Sequence, residues 1–313
     1  MEFDLRYRFK TLKQLNTVKG GDNGALNEGI FLVQSRRSGQ LYIEKRIKER
    51  DIRDGHGDRE RRALKQCDHP NIVAFIGSNF DTHYGYGSIY MQHCDLGALD
   101  TLIKRLKRHG RYVPEGFVWR VFFQLSLALC YLMHGVDAKA AIINRCNIEP
   151  VYGWNHICHR DIKPGNVFLA SESDPRQKYP RVMLGDFGCS VLIDDIDARV
   201  ACELTSRQAR SFSPPESPEY SRRGDVYMVG LVIHCLCRLL EVPERDKWHL
   251  REKPVGSYYS NHLTKVVKTC VRKHPNDRPS TAELPEMVYS PTYFRKSCTA
   301  KSGSIPKSRS PIP

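Results

Sequence analysis

The sequence has 313 residues, 40% of them hydrophobic and 27% charged, enough to bury a full core, so wholesale disorder is excluded. Lys and Arg number 49 against 35 Asp and Glu, and the formal charge of +14 attracts acidic ligands and partners without naming one. The 11 cysteines are odd in number and residues 1–10 hold no apolar stretch, so reduced thiols in a cytoplasmic or nuclear protein are expected, with no membrane partner.

Residues 29–34 and 41–47 are rich in Val, Ile, Tyr and Phe around Ser38-Gly39-Gln40, the pattern of a β-hairpin. A helix is expected over 58–66 with Asp58 as its cap, because Gly55 and Gly57 discourage an earlier start. Residues 72–76 and 88–91 read as further strands. The character changes after Gly97. Residues 117–133 are apolar on nearly every face, as a buried core helix is, and residues 226–240 repeat the pattern. The second run is too short to cross a bilayer and is broken by His234 and Arg238. Cys235 and Cys237, beside His234, lie inside it with no partner pair, which argues against a metal. Residues 295–313 are rich in Ser, Pro and Lys and hold no acid, the composition of a disordered tail.

Two segments carry chemistry: His159-Arg160-Asp161-Ile162-Lys163-Pro164-Gly165-Asn166, and downstream Leu184-Gly185-Asp186-Phe187-Gly188. Phosphoryl transfer needs positioned charge more than covalent work by the protein. Asp161 would orient an attacking hydroxyl, Asn166 and Asp186 would hold a metal, and Lys163 would neutralise the moving phosphoryl group.

Together the segments resemble the catalytic and metal loops of the eukaryotic protein kinase family. The resemblance covers most of the chain. It implies an α+β, bilobal fold: a small β-rich N-lobe with one main helix over 11–91, a hinge over 92–96, and a larger, mainly helical C-lobe over 97–292. Residues 1–10 would be an extension and 293–313 a basic tail. ATP and Mg²⁺ are the implied cofactors. Lys45, in Tyr42-Ile43-Glu44-Lys45, would pair with Glu60 and reach the α- and β-phosphates. Gly24, Gly29, Ile30, Ile43, Lys45 and Phe168 would border the nucleotide. Met91, Gln92 and Cys94 of the hinge would hold adenine, through backbone groups. Leu64, Phe75, His159 and Phe187 resemble the stacked column that joins the lobes.

Further markers lie in the C-terminal half. Pro214-Pro215-Glu216 and Asp225-Val226-Tyr227 resemble family landmarks, and Arg278 is expected to form a buried ion pair with Glu216. Small-molecule phosphotransferases usually lack this set, so it turns the expected substrate toward protein. Lys163, two residues after Asp161, is similar to the Ser/Thr class. The expected function is therefore transfer of the ATP γ-phosphate to a protein serine or threonine. The strings HRDIKPGNVFL and CDLGALD are similar to the never-in-mitosis-related kinases. Arg160 resembles the arginine of kinases switched by activation-loop phosphorylation, and Thr205 is the expected acceptor for an upstream kinase, with Asp194, Asp195 and Asp197 as an alternative source of negative charge.

The chain departs from the family in four places. The glycine loop reads Asn23-Gly24-Ala25-Leu26-Asn27-Glu28-Gly29, with Glu28 set to repel phosphate unless it points away. Ile43 replaces the usual alanine above adenine. Gln208-Ala209 replaces the usual Gly-Thr near the catalytic loop. Residues 135–155 exceed the usual link and read as an inserted surface loop. These departures motivate the alternative, a kinase-fold module that binds nucleotide without efficient turnover. The basic run Lys104-Arg105-Leu106-Lys107-Arg108 reads as a solvated helix face, so nucleic acid is not expected as a primary partner.

Overall fold

A computed structural model describes residues 5–15, 27–192, 209–218, 221–244 and 248–289. The expected α+β, two-lobed architecture is present. The N-lobe is an antiparallel five-stranded sheet in the order β1-β2-β3-β5-β4: β1 (Phe9–Gln14), β2 (Asn27–Ser35), β3 (Leu41–Ile47), β4 (Phe75–Asp81) and β5 (Tyr86–Gln92). Two helices follow β3, the short α1 (Glu49–Arg53) and then α2 (His56–Gln66). The β2–β3 hairpin closes where Gly39 adopts φ +71, a left-handed turn that favours glycine.

The sheet's register sets the cleft. Ile30 lies opposite Lys45 on β3, and Ile43 lies opposite Met91 at the end of β5. Alternation along β3 sends Lys45 and Glu44 to opposite faces. Glu44 is buried and its carboxylate accepts hydrogen bonds from Ser88 Oγ at 2.8 Å and Tyr90 OH at 3.2 Å. Phe9 of β1 stacks on Tyr90 with ring centroids 4.7 Å apart, which covers this outer cluster.

Among the elements that begin elsewhere than the sequence predicts, α2 and β4 have a traceable cause. Helix α2 starts at His56, with Gly55 at its N-cap, and Asp58 lies inside its first turn, bonded to Arg61 and Arg62. The glycines do not delay the helix. Gly57 admits it, because a Cβ there would stand 2.9 Å from Phe80 Cε1 and 3.0 Å from Ile47 Cγ2. Strand β4 starts at Phe75, since Ile72 and Val73 pair instead with the distant Leu184: Val73 N donates to Leu184 O at 2.9 Å.

The C-lobe is built on α4 (Glu115–His134) and α6 (Gly224–Arg238), the two apolar runs. Around them lie α3 (Leu99–Arg108), α5 (Lys139–Asn144), α7 (Trp248–Glu252), α8 (Asn261–Cys270) and α9 (Glu283–Val288). Helix α4 is long and apolar enough to cross a membrane, but 78% of that stretch is buried within the fold, as the central helix of a packed lobe. Two small antiparallel sheets, β6 (Ile157–Cys158) with β9 (Val191–Leu192) and the hairpin of β7 (Val167–Ala170) with β8 (Arg181–Leu184), complete the lobe. The basic run lies on the exposed side of α3, where Lys104 pairs with Asp100 at 3.5 Å.

Candidate active site

The β7–β8 hairpin brings the two chemical segments together. Val167 is in register with Leu184, so Asn166 and Gly185 meet at its open end, and Gly185 N donates to Asn166 O at 3.0 Å. Asp161 lies on the adjoining loop. Its Oδ2 accepts from Lys163 Nζ at 2.9 Å and Asn166 Nδ2 at 3.0 Å, and its Oδ1 from Ala209 N at 3.2 Å. Asn166 Nδ2 also donates to Asp161 O at 2.7 Å. The Asp161 carboxylate is therefore held on both oxygens.

Across the cleft, Lys45 Nζ donates to Glu60 Oε1 at 2.6 Å and to Asp186 Oδ1 at 2.7 Å. One ammonium thus ties β3, α2 and the segment after β8. The Lys45 and Glu60 side chains are 4% and 3% exposed, whereas Asp186 is 34% exposed and open to a ligand. Burial works against the Lys45 charge, but Asp186 and Glu60 outweigh it and raise its pKa. Burial likewise pushes the Asp186 carboxyl up, yet the Lys45 charge and hydrogen bond prevail and hold it down to about 2. Glu60 goes the other way: burial dominates and raises its pKa despite Lys45. For Lys163 burial lowers the pKa and Asp161 more than restores it, a net rise. At neutral pH the centre presents a charged Lys45 and an ionised Asp186.

Arg160 and Asp186 adopt left-handed backbones, φ +66 and +62, which cost a non-glycine residue on the order of 1–2 kcal/mol. The surroundings impose them. Asp225, at the start of α6, accepts from His159 N at 2.7 Å and Arg160 N at 2.8 Å. His159 Nε2 contacts Gly185 O at 3.1 Å, and its ring meets Phe187 edge-on at 4.8 Å. The sequence marks Asp225 only as a helix landmark. Its grip on the loop holding Asp161 appears only in three dimensions, though an Asp heading an apolar helical run is a usable signal in the sequence. Of the residues expected in the stacked column, His159 and Phe187 are in ring contact; Leu64 and Phe187 are buried and Phe75 is half-buried in the main core.

The described residues expected at the nucleotide border lie on β2, β3, β7 and the end of β5, with Cys94 just beyond it. Met91 and Phe168 pack on a small apolar cluster of Val73, Cys94, Ala170 and Met183. Gln92 N donates to Ala74 O at 3.0 Å. Ile30 and Ile43 are half-buried strand residues. Gly29 is buried, and a Cβ there would lie 2.6 Å from Phe31 Cε2. Glu28 occupies an irregularity in the β2–β3 register and is exposed. Gly24, Thr205, Gln208, the acids at 194, 195 and 197, and the tail lie outside the described residues.

The oxygen donors suit magnesium. Asn166 spends its amide N–H groups on Asp161, which leaves its Oδ1 as an acceptor, and Asp186 supplies an ionised, accessible carboxylate. Mg²⁺ favours such hard oxygen ligands, one or two from protein and the rest from phosphate and water. Cys235 and Cys237 are buried in α6, and burial pushes the Cys235 thiol up to about 12. His234 Nδ1 lies 2.6 Å from Pro254 O, and no cluster of three or more His, Cys, Asp or Glu ligands occurs among the described residues.

Farther from the cleft, Arg278 donates to both oxygens of Glu216, at 2.8 and 2.7 Å, the expected pair. It secures residues 209–218, from which Ala209 reaches Asp161.

A bilobal fold with a lysine–glutamate bridge and an Asp–Asn–Asp cluster defines a protein kinase domain. That family matches residues 24–290, and the chain belongs to it. Within it, the chain is similar to the G2-specific protein kinase nimA of Emericella nidulans, 32% identical over 262 residues, 78% of this chain and 35% of the relative. It is 28% identical over 285 residues to the probable serine/threonine-protein kinase nek2 of Dictyostelium discoideum, 83% of this chain and 60% of the relative. With serine/threonine-protein kinase Nek3 of Mus musculus it shares 29% over 274 residues, 83% of this chain and 47% of the relative. The chain thus spans 35–60% of the length of these relatives.

Proposed function

We propose that the protein is an ATP- and Mg²⁺-dependent serine/threonine protein kinase. The observation that carries this is the Lys45 bridge to Glu60 and Asp186, formed while Asp161 and Asn166 stand bonded on the facing loop. Lys45 would neutralise the α- and β-phosphates, and Glu60 keeps it there. Asn166 and Asp186 would hold Mg²⁺, which supplies charge neutralisation on the phosphates. Asp161 accepts the proton of the protein hydroxyl, and Lys163 offsets charge on the transferred group. Ile30, Ile43, Met91, Gln92, Cys94 and Phe168 would enclose adenine, with Gly24 and Gly29 over the phosphates. Names of related serine/threonine kinases and the Asp161–Lys163 contact support a serine or threonine acceptor. No observation among the described residues favours a module without turnover. Phosphoamino-acid determination after transfer from γ-labelled ATP to a mixed protein substrate tests the assignment: label on serine and threonine is expected, and label confined to tyrosine would overturn it.

A further inference from the structure

The catalytic helix α2 has a second anchor that the hinge does not provide. Gln66, its last residue, lies six positions after Glu60, and Gln66 Nε2 donates to Asn155 O at 2.7 Å. Asn155 belongs to the long connection between α4 and β6. The chain leaving α2 meets the same connection and the helix beneath it. Asp68 N donates to Tyr131 OH at 3.1 Å. The His69 ring lies 4.9 Å from that of Tyr131. Its Nδ1 accepts from Asn71 N at 3.1 Å, so its Nε2 carries the proton and faces Asp137 Oδ1 at 3.7 Å.

Both ends of the connection are fixed to α4. The Trp154 ring meets Tyr131 edge-on at 5.2 Å, and Trp154 Nε1 donates to Leu132 O at 3.0 Å. His156 Nδ1 bonds Met133 O. Gly135 turns the chain out of α4 with φ +73, and a Cβ there would lie 2.6 Å from the Trp154 ring. Trp154 and His156, on either side of Asn155, thereby tie it to the core helix of the C-lobe.

We propose that residues 135–156 act as an interlobe clamp on the end of α2, with Gln66 as a positioning residue that keeps Glu60 against Lys45. A helix is stiff along its axis, so a constraint on its last turn is transmitted to Glu60, fewer than two turns away. The inserted length gives this chain an attachment for α2 that leaves the hinge free to bind nucleotide. The proposal rests on the kinase reading of Lys45 and Glu60.

Two substitutions separate positioning from folding. Gln66→Met keeps the volume and removes the donor; Gln66→Lys restores a donor to Asn155 O. Gln66→Met is expected to lower kcat/KM for MgATP by roughly three- to tenfold, the weight of one hydrogen bond, with Tm within about 2 °C of wild type, and Gln66→Lys to recover most of it. In a Glu60→Gln background, Gln66→Met should have little further effect, because both changes act through one contact. Unchanged kcat/KM in Gln66→Met, or the same fold-loss with Glu60 absent, would overturn the proposal. Hydrogen exchange of residues 56–66 decides the clamp without turnover. Faster exchange in Gln66→Met, reversed in Gln66→Lys, is expected, and identical exchange in all three proteins would overturn it. A failure of phosphate transfer by wild type would instead count against the kinase reading.

Discussion

Replacing Arg278 by Met should destabilise the C-lobe severely, and the structure says why. The Arg278 side chain is 0% exposed, and its guanidinium lies 4.8 Å from the Tyr227 ring centre. Besides its two bonds to Glu216, it donates to Arg272 O at 2.8 Å, Lys273 O at 2.9 Å and Arg223 O at 3.2 Å. Methionine fills much of the space and supplies none of these donors. The Glu216 side chain, 10% exposed, is then left without its partner and with little water to receive it. Breaking a buried pair from one side costs about 3–5 kcal/mol. At roughly 2–4 °C per kcal/mol for a domain near this size, Tm should fall by about 6–20 °C. The assay is thermal unfolding followed by near-ultraviolet circular dichroism, with urea titration as a check. The double variant Arg278→Met/Glu216→Met should lose clearly less than the two single losses combined, because it removes the stranded carboxylate. A Tm within about 2 °C of wild type for Arg278→Met, or strict additivity in the double variant, would refute the reasoning.

Other consequences are equally direct. Lys45→Met should leave the fold intact and cut phosphate transfer by about 10² or more, measured by label incorporation, since it removes the cation that links Glu60 and Asp186. Asp186 is held at about 2 in the folded protein, below the ordinary 3.8. Its folded pKa is depressed, so its contribution to stability is complete above about pH 4 and fades as pH falls toward about 2. The difference in urea midpoint between wild type and Asp186→Asn should accordingly be flat from about pH 5 to 8 and shrink below about pH 4. Ile43→Ala should open the slot above adenine and lower KM for ATP; a rise in KM would show that Ile43 instead supplies binding contact. Ala209 reaches Asp161 only through its backbone N–H. Ala209→Thr, adding a hydroxyl beside that contact, should raise kcat a few-fold with little change in KM for ATP, as read by steady-state kinetics.

What the sequence could reveal depended on how local each interaction is. Asp161, Lys163 and Asn166 act within one loop, and their spacing alone puts them in mutual reach. The core helices announced themselves because burial on all sides leaves an unbroken apolar run. Interactions with remote partners were not legible. β4 starts later than its apolar run because Leu184, over 100 residues later, captures Val73. α2 starts earlier than its glycines suggest because Gly57 serves packing against Phe80 and Ile47, so the residue usually read as a helix breaker permits the helix here. The connection between α4 and β6 reads from sequence as an unspecified surface loop, since the partners of Asp137, Trp154 and Asn155 sit on other elements. The hydroxyl cluster around Glu44 was hidden for the same reason.

On the proposed reading, Asp161 serves the transfer step while Lys45 and Asp186 serve the nucleotide. Measuring MgATP affinity and single-turnover phosphate transfer on the same Asp161→Asn protein tests it most directly. Affinity within about twofold of wild type and transfer reduced by about 10² or more are expected. Transfer equal to wild type in Asp161→Asn would contradict that reading.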